Sequence, residues 1–194
     1  MPANRIFAAA AISCSLLAIT ACSTGPAPVM APPTNFVPLG VGAPYLSGPV
    51  IGGQRSRAAK MKSAKIAPIA APAVPSYMQD LEGELRRQTA GIGLDVLQVG
   101  DGIVIRIPAA LTFDTGSAAV KPQFDATLLE IARTVKTRSR TFVDVYAHTD
   151  TSGTPAINQS LSDKRAAAVA SYLATHGVAR ARLASKGMGE STPL

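Results

Sequence analysis

A proline-rich stretch limits how much of this 194-residue chain can form a packed core. Residues 23–75 hold ten prolines among alanine, glycine and serine, without a periodic apolar pattern. Such a segment buries too little apolar surface to offset the entropy of ordering its backbone. We therefore predict an extended linker over 22–75, with ends about 40 Å apart as a flexible coil. One folded domain is expected over 76–194.

The positive charge of the chain is concentrated in this linker. The formal net charge is +7, yet from residue 77 onward 13 Lys and Arg face 12 Asp and Glu. The nearly neutral domain argues against nucleic-acid binding. The linker cations could contact anionic lipid or an acidic polymer, or form a solvated, self-repelling spacer, and the spacer is favoured. These cations are Arg55, Arg57, Lys60, Lys62 and Lys65.

The first 21 residues have the pattern of a secretory signal peptide. Arg5 precedes an apolar run over 6–21 that is shorter than the about 20 residues of a comfortable membrane span. The run ends in Ile19-Thr20-Ala21-Cys22, which resembles the bacterial lipobox, where cleavage precedes a lipid-modified cysteine. We predict a signal peptide over 1–21 and lipidation (palmitate) of Cys22. The alternative is a plain signal peptide cut at another small residue.

The placement of cysteine agrees with lipidation. Cys14 lies inside the apolar run and would leave with the signal peptide, so Cys22 would be the only cysteine of the mature chain. An intramolecular disulfide or a cysteine metal site is then excluded. Ser23 stands where an aspartate would indicate inner-membrane retention, so the resemblance implies a lipid-anchored protein of the outer membrane, facing the periplasm.

Apolar periodicity beyond residue 76 predicts alternating helices and strands. Ser76 is expected to cap a first helix through a capping box, and 94–99 with 103–107 form a hairpin. A second helix runs over 122–135, a strand over 142–147, a third helix follows a cap at Ser162, and 182–186 is a weak last strand. The order predicts an α+β domain of two layers, with helices packed on one face of a mixed β-sheet.

Two charged residues flank the connection from the strand at 142–147 to the third helix. Asp150 lies just past the strand, and a cap at Ser162 would place Arg165 in the first helical turn, where the helix dipole disfavours a cation. An aspartate nearby would offset that cost. The two could hold a zwitterionic ligand, with the ammonium on Asp150 and the carboxylate on Arg165. They could equally form a salt bridge that only attaches the loop to the helix. The residues alone do not decide between a ligand site and this salt bridge.

The run from Thr149 to Ala166, TD-x7-N-x2-LS-x2-RA, resembles the signature of OmpA-like peptidoglycan-binding domains. Phe113-Asp114-Thr115-Gly116-Ser117 and Gly187-Met188-Gly189-Glu190 also match, so the resemblance covers roughly residues 80–194. Members of this family usually continue past the glycine turn into another strand, whereas this sequence ends at Leu194. The resemblance therefore leaves two alternatives, a fragment or a domain without its last strand.

The resemblance implies a binding function and a set of site residues. The ligand is the diaminopimelate of the peptidoglycan stem peptide, gripped by Asp150 through its ammonium and by Arg165 through a carboxylate. Asn158 shapes the pocket loop. Backbone N–H groups around Phe113, Asp114 and Thr115 hold the other carboxylate. The chain would thus tether the outer membrane to the cell wall without any cofactor or metal.

Two other functions compete with a simple tether. A wall-anchoring scaffold or stator subunit of a secretion, conjugation or motility complex would use the same pocket, with envelope protein partners docking on the linker. A wall hydrolase is less favoured: His148, Asp150 and His176 could contribute to a metal site, but no HExxH motif or nucleophile elbow is present. The chain is therefore predicted not to be an enzyme.

Overall fold

The structure is a computed structural model that describes residues 36–42, 51–100 and 102–190. The predicted signal peptide and the lipidation site at Cys22 lie outside the described residues, as do residues beyond 190, where the question of a last strand arises. Within the described ranges, no helix is both long enough and apolar enough to cross a bilayer.

Helices and strands alternate along the described residues, and the predicted α+β class is confirmed. The strands are β1 (Phe36–Gly42), β2 (Asp95–Val99), β3 (Gly102–Pro108), β4 (Phe142–Ala147) and β5 (Leu183–Gly187). The helices are α1 (Gln54–Ser63), α2 (Val74–Gln88), α3 (Ala109–Thr112), α4 (Pro122–Thr137) and α5 (Pro155–Thr175), with short 3-10 turns at Ala71–Ala73 and Arg180–Arg182.

The strands form one mixed sheet in the order β2-β3-β1-β4-β5. The predicted hairpin of β2 and β3 is confirmed, and β4 and β5 are parallel. Strand β1 lies in the centre and is antiparallel to both of its neighbours. All four strands predicted from the sequence are found close to their predicted bounds.

The central strand overturns part of the linker prediction. Residues 36–42 pair with β3 along their whole length, and α1 together with the start of α2 occupies much of 51–75. The prediction of an extended linker throughout 22–75 is therefore wrong for these residues. Local composition is a poor guide here, since a strand can be stabilised by backbone bonds to neighbours far away in sequence. Pro38, which lacks an N–H, lies outside the pairing between β1 and β4.

Two predicted helix starts are also wrong. Helix α2 begins at Val74 with no side-chain cap, and the hydroxyl of Ser76 donates back to the carbonyl of Ala73. Helix α5 begins at Pro155, because Thr154 accepts a hydrogen bond from the N–H of Ile157 and proline suits the first helical turn. Ser162 and Arg165 consequently lie well inside α5, and the argument from the helix dipole does not apply to Arg165.

The hydrophobic core lies between one face of the sheet and helices α2, α4 and α5. Strand β4 contributes Val143, Val145 and Ala147, as the alternating pattern predicts. Asp144 consequently points to the opposite face. Helix α1 lies there, in contact with the 3-10 turn Arg180–Arg182, so helices are not confined to one face of the sheet. Core side chains that are at most 1% exposed include Met78, Leu81, Leu85, Ile103, Ile105, Ile107, Leu128, Ile131 and Leu173.

Candidate binding pocket

A pocket of about 380 Å³ opens where β4 ends and α5 begins. Three segments line it: α3 with the loop that follows, the loop between β4 and α5, and one face of α5. The six predicted binding residues Phe113, Asp114, Thr115, Asp150, Asn158 and Arg165 all line this pocket. The other lining residues are Ala109, Ala110, Gly116, Thr149, Ser152, Ile157 and Leu161.

Arg165 is a buried cation in the wall of the pocket. Its Nε donates to the carbonyl of Ser117 at 2.8 Å and its Nη2 to the carbonyl of Asp114 at 3.2 Å. The guanidinium carbon lies 5.1 Å from the ring centre of Phe113. Burial lowers the pKa of Arg165, and the charge of Asp150 offsets part of this shift. A guanidinium nevertheless stays charged at neutral pH. Carbonyls orient this guanidinium without neutralising its charge.

Asp150 provides an exposed carboxylate at the rim. One carboxylate oxygen accepts a hydrogen bond from the N–H of Ser152 at 3.1 Å, which fixes the side chain in a local turn. The ion pairs of the described residues do not include one between Asp150 and Arg165. The alternative of a salt bridge that clips the loop is therefore wrong. Anion and cation share one pocket without direct contact.

Asn158 holds the loop of Asp150 in place. Its side-chain amide donates to the carbonyl of Asp150 at 3.2 Å and to a carboxylate oxygen of Glu190 at 2.6 Å. The expectation that Asn158 shapes this loop agrees with these two bonds. Glu190 was not singled out from the sequence, although it follows directly on a matched glycine turn.

The turn that carries Glu190 is attached to the end of β4. The N–H of Met188 donates to the carbonyl of Ala147 at 2.8 Å, and the N–H of Thr149 donates to the carbonyl of Gly189 at 3.0 Å. Gly189 has a φ of +54°, and a Cβ at Gly187 would lie 2.3 Å from the backbone nitrogen of Asp163. Both positions therefore require glycine. The pair of glycines just before Glu190 is the sequence signal that could have identified this residue as close to the pocket.

The segment 113–115 forms the opposite wall. The N–H of Phe113 donates to the carbonyl of Ala109 at 2.8 Å, so it is engaged by the preceding helical turn. The carboxylate of Asp114 is exposed and lies 3.1 Å from the ammonium of Lys121. The N–H groups of Asp114 and Thr115 are the remaining candidates for holding a ligand carboxylate.

The two histidines considered for a metal site occupy different places. His148 is buried at the end of β4, whereas His176 ends α5 and stacks on the ring of Tyr172 at a centroid distance of 4.1 Å. Over the described ranges, no group of three or more His, Cys, Asp or Glu is arranged to hold a metal ion.

Comparisons with known proteins converge on one family. A family model described as the OmpA family matches residues 112–194. A relative in Escherichia coli (strain K12) named "Probable lipoprotein YiaD" is 38% identical over 118 residues, which are 61% of this chain and 54% of that protein. The chain thus spans about half the length of this curated relative.

Solved structures show similar domains. The cell wall anchor of the T6SS from Pseudomonas aeruginosa is 30% identical, covers 57% of this chain and 82% of that chain, and has a TM-score of 0.51. A MotB-like protein from Desulfovibrio vulgaris is 20% identical, covers 61% of this chain and 76% of that chain, and has a TM-score of 0.55. The second similarity concerns the fold alone.

Proposed function

Because the chain belongs to the OmpA family, we propose that the pocket between β4 and α5 binds peptidoglycan. The observation that carries this proposal is the pair of opposite charges in that pocket. Asp150 and Arg165 line the same cavity, and each contacts backbone groups instead of the other. Charged groups held in this way are pre-organised for a ligand that carries both signs.

The ligand that best fits these charges is diaminopimelate in the stem peptide. Its ammonium would contact the carboxylate of Asp150, and one carboxylate would contact the guanidinium of Arg165. The N–H groups of Asp114 and Thr115 would hold the second carboxylate, and Asn158 keeps the loop of Asp150 in place. A pocket of about 380 Å³ is large enough for a group the size of an amino acid.

A co-sedimentation experiment with isolated sacculi tests this proposal. We expect the mature chain to sediment with sacculi, and Asp150→Asn or Arg165→Ala to abolish sedimentation. Lys164→Ala is a matched control, since Lys164 is an exposed cation next to Arg165 in sequence and does not line the pocket. Free diaminopimelate should compete for the pocket better than lysine, which lacks the second carboxylate. Sedimentation that survives both pocket substitutions would show that the pocket assignment is wrong.

The proposal extends to anchoring in the outer membrane through Cys22. It is supported by the Ile19-Thr20-Ala21-Cys22 motif and by the similarity to a lipoprotein. Stable attachment requires more than one acyl chain, which lipoprotein processing would supply. We expect Cys22→Ser to release the protein from membranes and to remove palmitate labelling. Labelling that persists in this variant contradicts the lipoprotein assignment.

A second candidate is a wall-anchoring subunit of a larger envelope complex. The relative that is 30% identical is named as the cell wall anchor of the T6SS, which favours this possibility. Such a subunit would use the same pocket and differ only in its protein partners. Crosslinking in intact cells distinguishes the two, because a simple tether would yield peptidoglycan adducts without a stoichiometric envelope protein.

A further inference from the structure

Helix α1 and the turn that follows it form a second charged surface, separate from the pocket. Four cations are exposed there, namely Arg55, Lys60, Lys62 and Lys65. The first acidic residue of the whole sequence is Asp80, and the ion pairs of the described residues include none of these four cations. A surface of this kind attracts anionic partners.

The cations are fixed to the folded domain by a buried residue of the same helix. Arg57 is 1% exposed, and its Nη2 contacts a carboxylate oxygen of Asp144 at 2.7 Å as well as the carbonyl of Arg182. The other carboxylate oxygen of Asp144 accepts from the N–H of Ile51 at 3.0 Å. The interpretation of 55–65 as a solvated spacer is therefore wrong for α1, which presents its charges from a defined position.

Helix α1 and the pocket attach to different parts of β4. Helix α1 is attached through Asp144 in the middle of the strand, whereas Asp150 lies beyond its end. The two aspartates are six positions apart, which corresponds to at most about 20 Å of extended chain. The described lining of the pocket includes no residue of α1, so a partner bound in the pocket leaves α1 uncovered.

An apolar hollow accompanies the cations. It has a volume of about 490 Å³, and its described walls include Ala58, Met61, Ile66 and Pro68 together with Lys62 and Lys65. Apolar surface next to lysines is the chemistry of interfacial lipid binding, where acyl chains contact the apolar part and headgroups contact the ammonium groups. A purely hydrophilic polyanion would gain nothing from the hollow.

We propose that α1 and the turn to Pro68 dock the domain on an anionic phospholipid bilayer. Each exposed cation contributes Coulomb attraction within a Debye length of the surface, and the hollow admits apolar lipid groups. The pocket would stay outside this docking surface, because its described lining includes no residue of α1. This role does not depend on what the pocket binds.

Vesicle co-sedimentation of the mature chain carrying Cys22→Ser tests the proposal without the lipid anchor. We expect binding to vesicles of phosphatidylcholine mixed with phosphatidylglycerol, and little binding to phosphatidylcholine alone. Each of Lys60→Gln, Lys62→Gln and Lys65→Gln should lower the affinity about fivefold, and the triple variant about 100-fold. The affinity should fall as salt is raised.

A matched triple variant on α4 and α5 tells whether vesicle binding needs the α1 surface or only the overall positive charge. Arg133→Gln, Lys136→Gln and Lys164→Gln remove the same charge from exposed positions of α4 and α5. This control should retain vesicle binding, and the α1 triple variant should still sediment with sacculi. Equal loss in both triple variants, binding to neutral vesicles, or equally tight binding of duplex DNA would each overturn the proposal. If Asp150→Asn loses sacculus binding but keeps vesicle binding, the result supports a docking surface that is separate from the pocket.

Discussion

Two combinations of arginine and aspartate, one in the middle of β4 and one in the pocket beyond its end, differ in how their charges are satisfied. Arg57 and Asp144 are in direct contact at 2.7 Å, and both side chains are at least nine-tenths buried. Arg165 and Asp150 share a pocket, but each contacts backbone groups, and Asp150 is exposed. The same two residue types therefore form a direct ion pair in one place and remain apart in the other.

The difference separates an ion pair that secures the fold from charges that, under the proposed function, would contact a ligand. Inside the protein, the charges of Arg57 and Asp144 satisfy each other and fix α1 to the sheet. Removing one partner would leave the other charge buried alone, which is costly. At the pocket, carbonyls and an N–H group orient the charges without cancelling them, so their electrostatic interaction is available to a ligand. The comparison can be tested by substituting residues of each combination.

The largest expected effect is that of Arg57→Met on stability. The variant leaves Asp144 buried without its cation, so we expect the free energy of unfolding to fall by about 3–5 kcal/mol. Arg57→Met combined with Asp144→Leu removes both charges and should recover most of this loss. Urea denaturation of the three proteins provides the measurement. A single-variant cost below about 1 kcal/mol would indicate that the pair does not secure the fold.

The next effect is on ligand binding in the pocket beyond the end of β4. Lysine in place of Arg165 cannot donate to the carbonyls of both Ser117 and Asp114 in the geometry of the guanidinium. We expect Arg165→Lys to weaken binding of a diaminopimelate peptide by about 10- to 100-fold, measured by calorimetry. Its unfolding free energy should change much less than that of Arg57→Met. A comparable loss of stability would assign Arg165 a mainly structural role.

A smaller effect is expected from Glu190→Ala. This substitution removes the acceptor that lies 2.6 Å from the amide of Asn158 and loosens the loop of Asp150. We expect about a fivefold loss of affinity, equivalent to about 1 kcal/mol. If Glu190 acts through Asn158, adding Asn158→Ala should cost less than the sum of the single effects. Additive effects would instead point to direct contact between Glu190 and the ligand.

The smallest effect concerns the pH dependence of stability. Burial raises the pKa of Asp144 from its ordinary value of 3.8, while the charge of Arg57 and the N–H of Ile51 oppose the shift. The folded state therefore holds this proton more tightly than the unfolded chain, and stability from this group falls as pH rises through the raised pKa. The unfolding free energy of the native chain, minus that of Asp144→Asn, should therefore decrease as pH rises through the raised pKa of Asp144. A difference that increases with pH would mean that the charge of Arg57 outweighs burial and lowers the pKa of Asp144.

Local patterns in the sequence were sufficient for much of the fold. The alternation of Ile103, Ile105 and Ile107 placed β3 and its buried face, and the spacing of Phe124 and Leu128 placed α4. Such patterns are informative because the period of apolar residues records which side of an element is buried. The start of α5 was mistaken because Ser162 and Thr154 both fit a cap, and only the proline after Thr154 distinguishes them.

The sequence by itself determined the α+β class, four of the five described strands and six of the residues that line the pocket, since these follow from short-range periodicity and from spaced motifs. Tertiary structure alone decided the central place of β1, the contact between Arg57 and Asp144 across 87 positions, and that between Asn158 and Glu190 across 32. Contacts of this length leave no local pattern, because chain folding and not spacing brings the partners together. The same folding keeps Asp150 and Arg165 together in one pocket while leaving their charges unpaired.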